Sequence, residues 1–374
     1  MKLFPVMLLL TLPLTAEGQD GDFRDLFNGK DLTGWKRVNT DESTWSIRDG
    51  MLVCTGRPIG ELRTERMYQN FIMEVEWRHM KPKGNAGIFV WADDITARGV
   101  PFHRGIEVQV LENAYGNNRS HTTHGDIFPI HGATMTPING HGGSRAFPTE
   151  QRSRPSPEWN HYRIECNDGK ISLAVNGKVV TRGEDCSPRK GYICIESEGG
   201  VVHYRNMRIQ ELPDTPVDPE HVAIADRGYR CLYTGIDLNG WQASGDGHSA
   251  WRANDWELAY ESDKGVPSEL ASTESFEKSA SGFIVDVRFK EQSGPCEIEF
   301  RGTQVQLTPD MPGLEPKGRW NRVEAEIQGN VLNLSVNGQQ VKNATSDTTA
   351  ASRRLMLRPE GATDFANIYV REEQ

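Results

Sequence analysis

Phe71, Met73, Val75 and Trp77 alternate along the chain with Ile72, Glu74 and Glu76, and Phe283, Val285, Val287 and Phe289 repeat the pattern far downstream. A period of two is the mark of a strand with one face buried. Ile171, Leu173 and Val175 run on one face into Asn176-Gly177, and Leu332, Leu334 and Val336 run likewise into Asn337-Gly338. Asn-Gly after an alternating run predicts a two-residue type I′ hairpin, because both residues tolerate positive φ. No long stretch carries apolar residues at helical spacing. The pattern predicts an all-β chain of antiparallel sheets packed as sandwiches.

The same alternation occurs twice because the chain repeats itself. LFNGKDLTGW (26–35) returns as LYTGIDLNGW (232–241) at an offset of 206, and Trp45 pairs with Trp251 at the same offset. NFIMEVEW (70–77) aligns with GFIVDVRF (282–289) at an offset of 212. EWNHYRIE (from Glu158) aligns with RWNRVEAE (from Arg319), and YRNMRIQ with FANIYVR, both at an offset of 161. The Pro-rich, acidic PDTPVDPEH is linker-like. These matches divide the chain into sandwiches over 23–212 and 226–374, joined by 213–225. The fall in offset from 212 to 161 leaves the first copy with 51 residues that the second lacks, between about Ile88 and Trp159. His103, His121, His124, His131 and His141 lie there, half of the ten histidines; the second copy retains only His248. A long polar excursion from a rigid scaffold is where function concentrates.

The first residues, MKLFPVMLLLTLPLTA (1–16), join one lysine, a short apolar run and small residues. That is a secretory signal, too short to span a bilayer, so a secreted or periplasmic location is expected, with no membrane span after cleavage. Six cysteines in an exported chain leave disulfide and free-thiol readings both open, and their spacing matches no Cys-based zinc pattern. With 42 Lys+Arg against 52 Asp+Glu, the net charge of −10 opposes a nucleic-acid partner. Nucleophile-elbow, phosphate-loop, dinucleotide and HExxH motifs are absent from the sequence.

In GIEVQVLEN, Ile106, Val108 and Val110 share one face, leaving Glu107 and Gln109 together on the other. A carboxylate beside an amide suits a general base next to a hydrogen-bond donor, whereas an ordinary solvated face is the plainer reading. The second copy carries Gln304 and Gln306 at these places, so the carboxylate is lost where the excursion is lost. HTTHGDIFPIHG (121–132) brings His124, Asp126 and His131 close in sequence. They are candidates for acid–base work or for a divalent metal, although polar loops often carry histidine. His141 sits among glycines in INGHGG. Asn85 offers a donor at a cleft, and Trp91 either a stacking face for a sugar ring or an ordinary core aromatic. Glu198 and Arg205 are candidates for an ion pair or for lining the same face.

Together LFNGKDLTGW, GNAGIFV, GIEVQVLEN, EWNHYRIE, LAVNGKVV, RKGYICIESEG and HYRNMRIQEL resemble, in order, the 3-keto-disaccharide hydrolase domain family, long known only as a domain of unknown function. The resemblance is dense over the first copy and degenerate over the second. It implies concanavalin A-like (LamG-like) jelly-roll sandwiches acting on glycosides oxidised at sugar C3. It maps the family's acidic strand residue onto Glu107 and its amide onto Gln109. Many members carry Arg where this chain has Trp91; Arg301 holds that place in the second copy.

A C3 ketone acidifies the C2 hydrogen, so a base can form an enolate that expels the C1 substituent, and water then adds to the enone. Glu107 or His124 is the expected base, with Gln109, Asn85, His131 or a divalent cation facing the oxygens. No cofactor is certain from the sequence. The expectation is an exported enzyme acting on an oligosaccharide or glycoside; the alternative is a non-catalytic carbohydrate-binding or adhesion module.

Overall fold

The computed structural model describes residues 23–115, 124–140, 142–244, 249–261, 268–277, 280–328, 331–341, 344–346 and 353–373. The 1–16 segment, His121, His141 and His248 lie outside them. The chain forms two antiparallel β-sandwiches in tandem, as the alternation predicts. In the first, a long sheet runs Thr134–Pro137, Lys178–Ser187, Lys170–Val175, Asn160–Asn167, Phe71–His79, Val202–Glu211, Met51–Cys54, Trp45–Arg48. A six-stranded sheet faces it in the order Trp35–Val38, Gly60–Thr64, Tyr192–Ser197, Gly87–Ala92, Gly105–Gln109, Ile127–Ile130.

The second sandwich repeats this order through its own six-stranded sheet: Trp241–Ala243, Leu270–Ser272, Leu355–Pro359, Cys296–Phe300, Thr303–Leu307. Its sixth strand, Ala344–Ser346, comes from a later part of the chain than the place of Ile127–Ile130 would suggest. Both Asn-Gly hairpins have positive φ at both residues: 48° and 87° at Asn176-Gly177, 52° and 78° at Asn337-Gly338.

Packing follows the period of two. Met73, Val75 and Trp77 of the long sheet are buried with Ile88, Val90, Ile106, Val108, Ile193 and Ile195 of the short one in a single core. Each large side chain so buried contributes about 1.5–3 kcal/mol relative to exposure. Trp77 packs edge-on against Tyr162, ring centres 5.1 Å apart, and the Tyr162 hydroxyl donates to the Gln109 carbonyl at 2.9 Å. The core thereby fixes the end of the strand that carries Glu107. All six cysteines are free thiols.

The 93–104 segment, which joins two strands of the first sandwich, docks on the second. The Asn367 amide donates to the carbonyls of Ala97 and Val100, both at 3.0 Å, and accepts from the Thr96 hydroxyl at 2.7 Å. The Gly99 amide donates to Asp286 at 2.8 Å, and Arg322 grips Asp286 at 2.7 and 2.8 Å. Asp94 and Arg227 form a further two-pronged pair at 2.9 and 3.0 Å. The polar groups of this interface are thus matched, as burial requires.

Candidate active site

The strand Gly105–Gln109 turns Ile106 and Val108 inward and Glu107 and Gln109 to the outer face of the six-stranded sheet. Next to it, Gly87 lies opposite Gln109 and Phe89 opposite Glu107. The following strand, Tyr192–Ser197, turns Ile193 and Ile195 into the core and Cys194 and Glu196 outward. Two glutamates from different strands then converge over Gly87, which has no side chain. A β-carbon built on Gly87 would stand 2.8 Å from Glu107 Oε1 and 3.0 Å from Glu196 Oε2. Glu198 follows at the sheet end and accepts a hydrogen bond from the Asn85 amide. Gln109 Nε2 donates to Asn85 Oδ1 at 2.9 Å and to the Ala86 carbonyl at 3.1 Å, which holds Asn85 in place. Glu107 and Glu196 are buried, whereas Asn85 and Glu198 are half-buried, so the cluster opens to solvent at its Asn85–Glu198 end.

Three carboxylates this close in a poorly solvated place do not all ionise. Burial, and then the neighbouring Glu198, push Glu107 well above the ordinary carboxylate range. Burial, then Glu198 and Glu107, do the same to Glu196. Glu198 is raised by burial against the opposing pull of the Asn85 amide. Arg145 partly offsets the repulsion at Glu107. It pairs with Asp126 at 3.0 Å, and its guanidinium lies 3.4 Å from the centre of the Phe128 ring. The cluster can therefore hold a proton on one carboxyl while another acts as base, as acid–base chemistry near neutral pH needs.

The candidates drawn from sequence divide sharply. Glu107, Gln109, Asn85 and Glu198 come together. Asp126 is fully buried in its ion pair with Arg145. Burial holds the His124 imidazole low, hence neutral, and among the described residues no hydrogen bond ties it to the three glutamates. His131 is exposed at the turn after Ile127–Ile130, with φ of 53°. These three do not gather as metal ligands among the described residues; the His/Cys/Asp/Glu group that does is Glu61, His103 and Cys194.

Two expectations are corrected. Trp91 is no stacking face: it is fully buried in the core, with Nε1 donating to the Gln69 carbonyl at 2.8 Å. Regular alternation would turn it outward with Gly87 and Phe89. Its φ of 56°, where the pairing with Tyr192–Ser197 slips register, turns it inward instead. Arg205 does not share a face with Glu198. It belongs to the long sheet, pairs with Glu76 at 2.5 Å and stacks 4.0 Å from the Trp159 ring centre. The sequence reading missed Glu196, although Ile193 and Ile195 in YICIES mark it as outward-facing.

The second sandwich answers this site with a different one. Strand pairing puts Glu297 at the place of Gly87, Arg358 at that of Glu196 and Gln304 at that of Glu107. Arg358 binds Glu269 at 2.5 Å, Glu299 at 2.6 Å and also Glu297, so a guanidinium stands among these carboxylates where the first sandwich has Glu196.

Residues 22–210 match the model of the 3-keto-alpha-glucoside-1,2-lyase-like domain. The chain belongs to this family. Among solved structures, two candidate glycosyl hydrolases from Parabacteroides distasonis ATCC 8503 are similar to it. They are 23% and 22% identical, with 51% of this chain and 94% and 100% of theirs covered, both at a TM-score of 0.40. The carbohydrate-binding module CBM66 from Bacillus subtilis is 10% identical over 47% of this chain and 95% of its own, at a TM-score of 0.34. No curated protein matches the chain. The lyase-like domain comprises the sandwich that carries the three glutamates.

Proposed function

We propose that the first sandwich is a lyase acting on 3-keto-glycosides, with Glu107 as the base. Glu107 takes the proton from C2, and the electron pair passes to the C3 oxygen as an enolate. The enolate reforms the ketone, a C1–C2 double bond forms, and the C1–O bond breaks. The leaving oxygen takes a proton from Glu196 or Glu198. The products are an enone and a free alcohol, and the proton gained by Glu107 balances the one donated, so transfer within the cluster restores the site. Water adding at C1 by the reverse path converts elimination into net hydrolysis. The half-buried Asn85 amide, which also donates to Glu198, serves in this reading as a donor to substrate oxygens at the open end.

The observation that carries this reading is the convergence of Glu107 and Glu196 over Gly87 beside Glu198, which gives a base and an acid one shared environment. The 1–16 segment supports secretion or a periplasmic location, which the mass of the mature amino terminus would test. The activity is tested with a 3-keto-glucoside and its unoxidised parent. Aglycone release from the ketone alone is expected. Binding of the parent with turnover of neither would overturn the lyase reading in favour of a carbohydrate-binding module.

A further inference from the structure

We propose that Glu61, His103 and Cys194 form a site for a divalent cation of the zinc class on the outer face of the first sandwich. Their ligand atoms all lie within 4.8 Å of one another, and all three residues are fully buried. They come from separate parts of the chain: the strand Gly60–Thr64, the strand Tyr192–Ser197 and the end of the 93–104 segment. Cross-strand pairing places Cys194 and Glu61 on one face of neighbouring strands, opposite Arg63 and Glu196 respectively. His103 is fastened to Glu61 twice, by its backbone amide at 3.1 Å and by its Nδ1.

The spacing suits zinc. With bonds of about 2.3 Å to sulfur and about 2.0–2.1 Å to nitrogen, a tetrahedral ion separates the two ligands by about 3.6 Å. Cys194 Sγ and His103 Nδ1 are 3.7 Å apart. Glu61 Oε2 now shares the Nδ1 side of the ring, and an ion would take the place of the proton between them. Glu61 Oε1 is buried without a partner, an open acceptor on a charged group that burial ordinarily forbids. One sulfur, one imidazole and one carboxylate form the mixed donor set that zinc prefers over calcium or magnesium, whose ligands are all oxygen.

The charges nearby agree. Glu61, Glu107, Glu196 and Glu198 share this face, while the cations beside it are engaged: Arg63 with Asp226 and the Tyr192 ring, Arg145 with Asp126. Loading the site releases the Cys194 thiol proton to solvent as the sulfur–metal bond forms, and the proton displaced from between Glu61 and His103 Nδ1 moves to His103 Nε2, which has no partner. The ion would also anchor the 93–104 segment at its return to the first sandwich, between the bonds that fasten its middle to the second.

Chelator-treated full-length protein titrated with Co(II) tests this independently of any turnover. One ion per chain is expected, with a near-ultraviolet thiolate-to-cobalt band, displacement by Zn(II) and a raised thermal midpoint on Zn(II) binding. Cys194→Ser should abolish the band, and Glu61→Gln, which keeps the hydrogen bond to His103, should weaken binding at least tenfold. Five other thiols exist in the chain. A band that survives in Cys194→Ser, or the absence of any band in the unaltered protein, would overturn the proposal.

Discussion

Gly87→Ala probes the centre of the site with a single methyl group. In place of the Gly87 hydrogen, a β-carbon would meet Glu107 Oε1 at 2.8 Å, Glu196 Oε2 at 3.0 Å and the Phe89 ring at 3.1 Å. Ordinary contact begins at 3.4 Å, so the Glu107 oxygen must retreat by about 0.6 Å and that of Glu196 by about 0.4 Å. The backbone does not resist, because Gly87 is outside the left-handed region and an alanine fits a strand. Relief of glycine's chain entropy returns about 0.5–1 kcal/mol, against about 1–3 kcal/mol for overpacking. A net stability loss of about 0–2.5 kcal/mol follows.

Catalysis is more sensitive than folding. Misplacing a reacting group by 1 Å costs about 100-fold, so displacement of the base and its partner together should lower kcat/KM about 10- to 100-fold. That is about 1.4–2.7 kcal/mol of barrier. The assay is release of a chromogenic aglycone from a 3-keto-glucoside, with circular-dichroism melting on the same samples. Turnover within twofold of the unaltered protein, with an unchanged melt, would refute the assignment of chemistry to the Glu107–Glu196 pair.

Glu107→Gln should lower kcat/KM by about 10²–10⁴-fold with the fold retained, while Gln304→Glu in the second sandwich leaves turnover unchanged in the same assay. Because burial and Glu198 raise Glu107, the folded protein keeps a proton that the unfolded chain loses above its ordinary value of 4.5. That contribution to stability is fully present below 4.5 and is lost as pH rises toward and through the raised value, so the melting advantage of Glu107→Gln over the unaltered protein should grow as pH rises above 4.5; a constant difference would contradict it. Arg358→Met should destabilise the second sandwich by about 1–3 kcal/mol in urea unfolding, discounted for partial exposure, because Glu269, Glu297 and Glu299 lose their common cation, and kcat/KM should not change.

What the sequence made legible was whatever followed a period of two. Phe71–Trp77 and Ile106–Val110 announced both the core and the outward position of Glu107. Trp91 defied the period because one positive φ at a register slip reverses its side, and no residue in GIFVWA marks that slip. Arg205 was grouped with Glu198 by proximity in sequence, but the chain passes from one sheet to the other between them, and their side chains serve opposite faces. His103 was visible only as one histidine among five. Its partner Glu61 lies 42 residues away, and only the fold joins strands that far apart.

The second sandwich gives the site its internal control. Its six-stranded sheet has the same order over its first five strands, yet Arg358 stands at the place of Glu196 and Gln304 at that of Glu107, so the strand framework alone does not assemble the glutamate cluster. What it supplies is a surface for the 93–104 segment. The corresponding strands of the second sandwich are joined by the short turn Arg301-Gly302. In the first, the longer connection carries buried backbone groups that need partners, and Asn367 and Asp286 satisfy those of Ala97, Gly99 and Val100. Without that support the segment would leave these groups unpaired, at about 1–3 kcal/mol each if they stayed buried. The segment returns as His103 on Glu61, and Glu61 is the cross-strand partner of Glu196. The second sandwich's hold on this connection thus lies one hydrogen-bonded pair and one strand pairing away from the glutamate cluster, so a variant that weakens the contacts of Asn367 and Asp286 should be read for turnover as well as for stability.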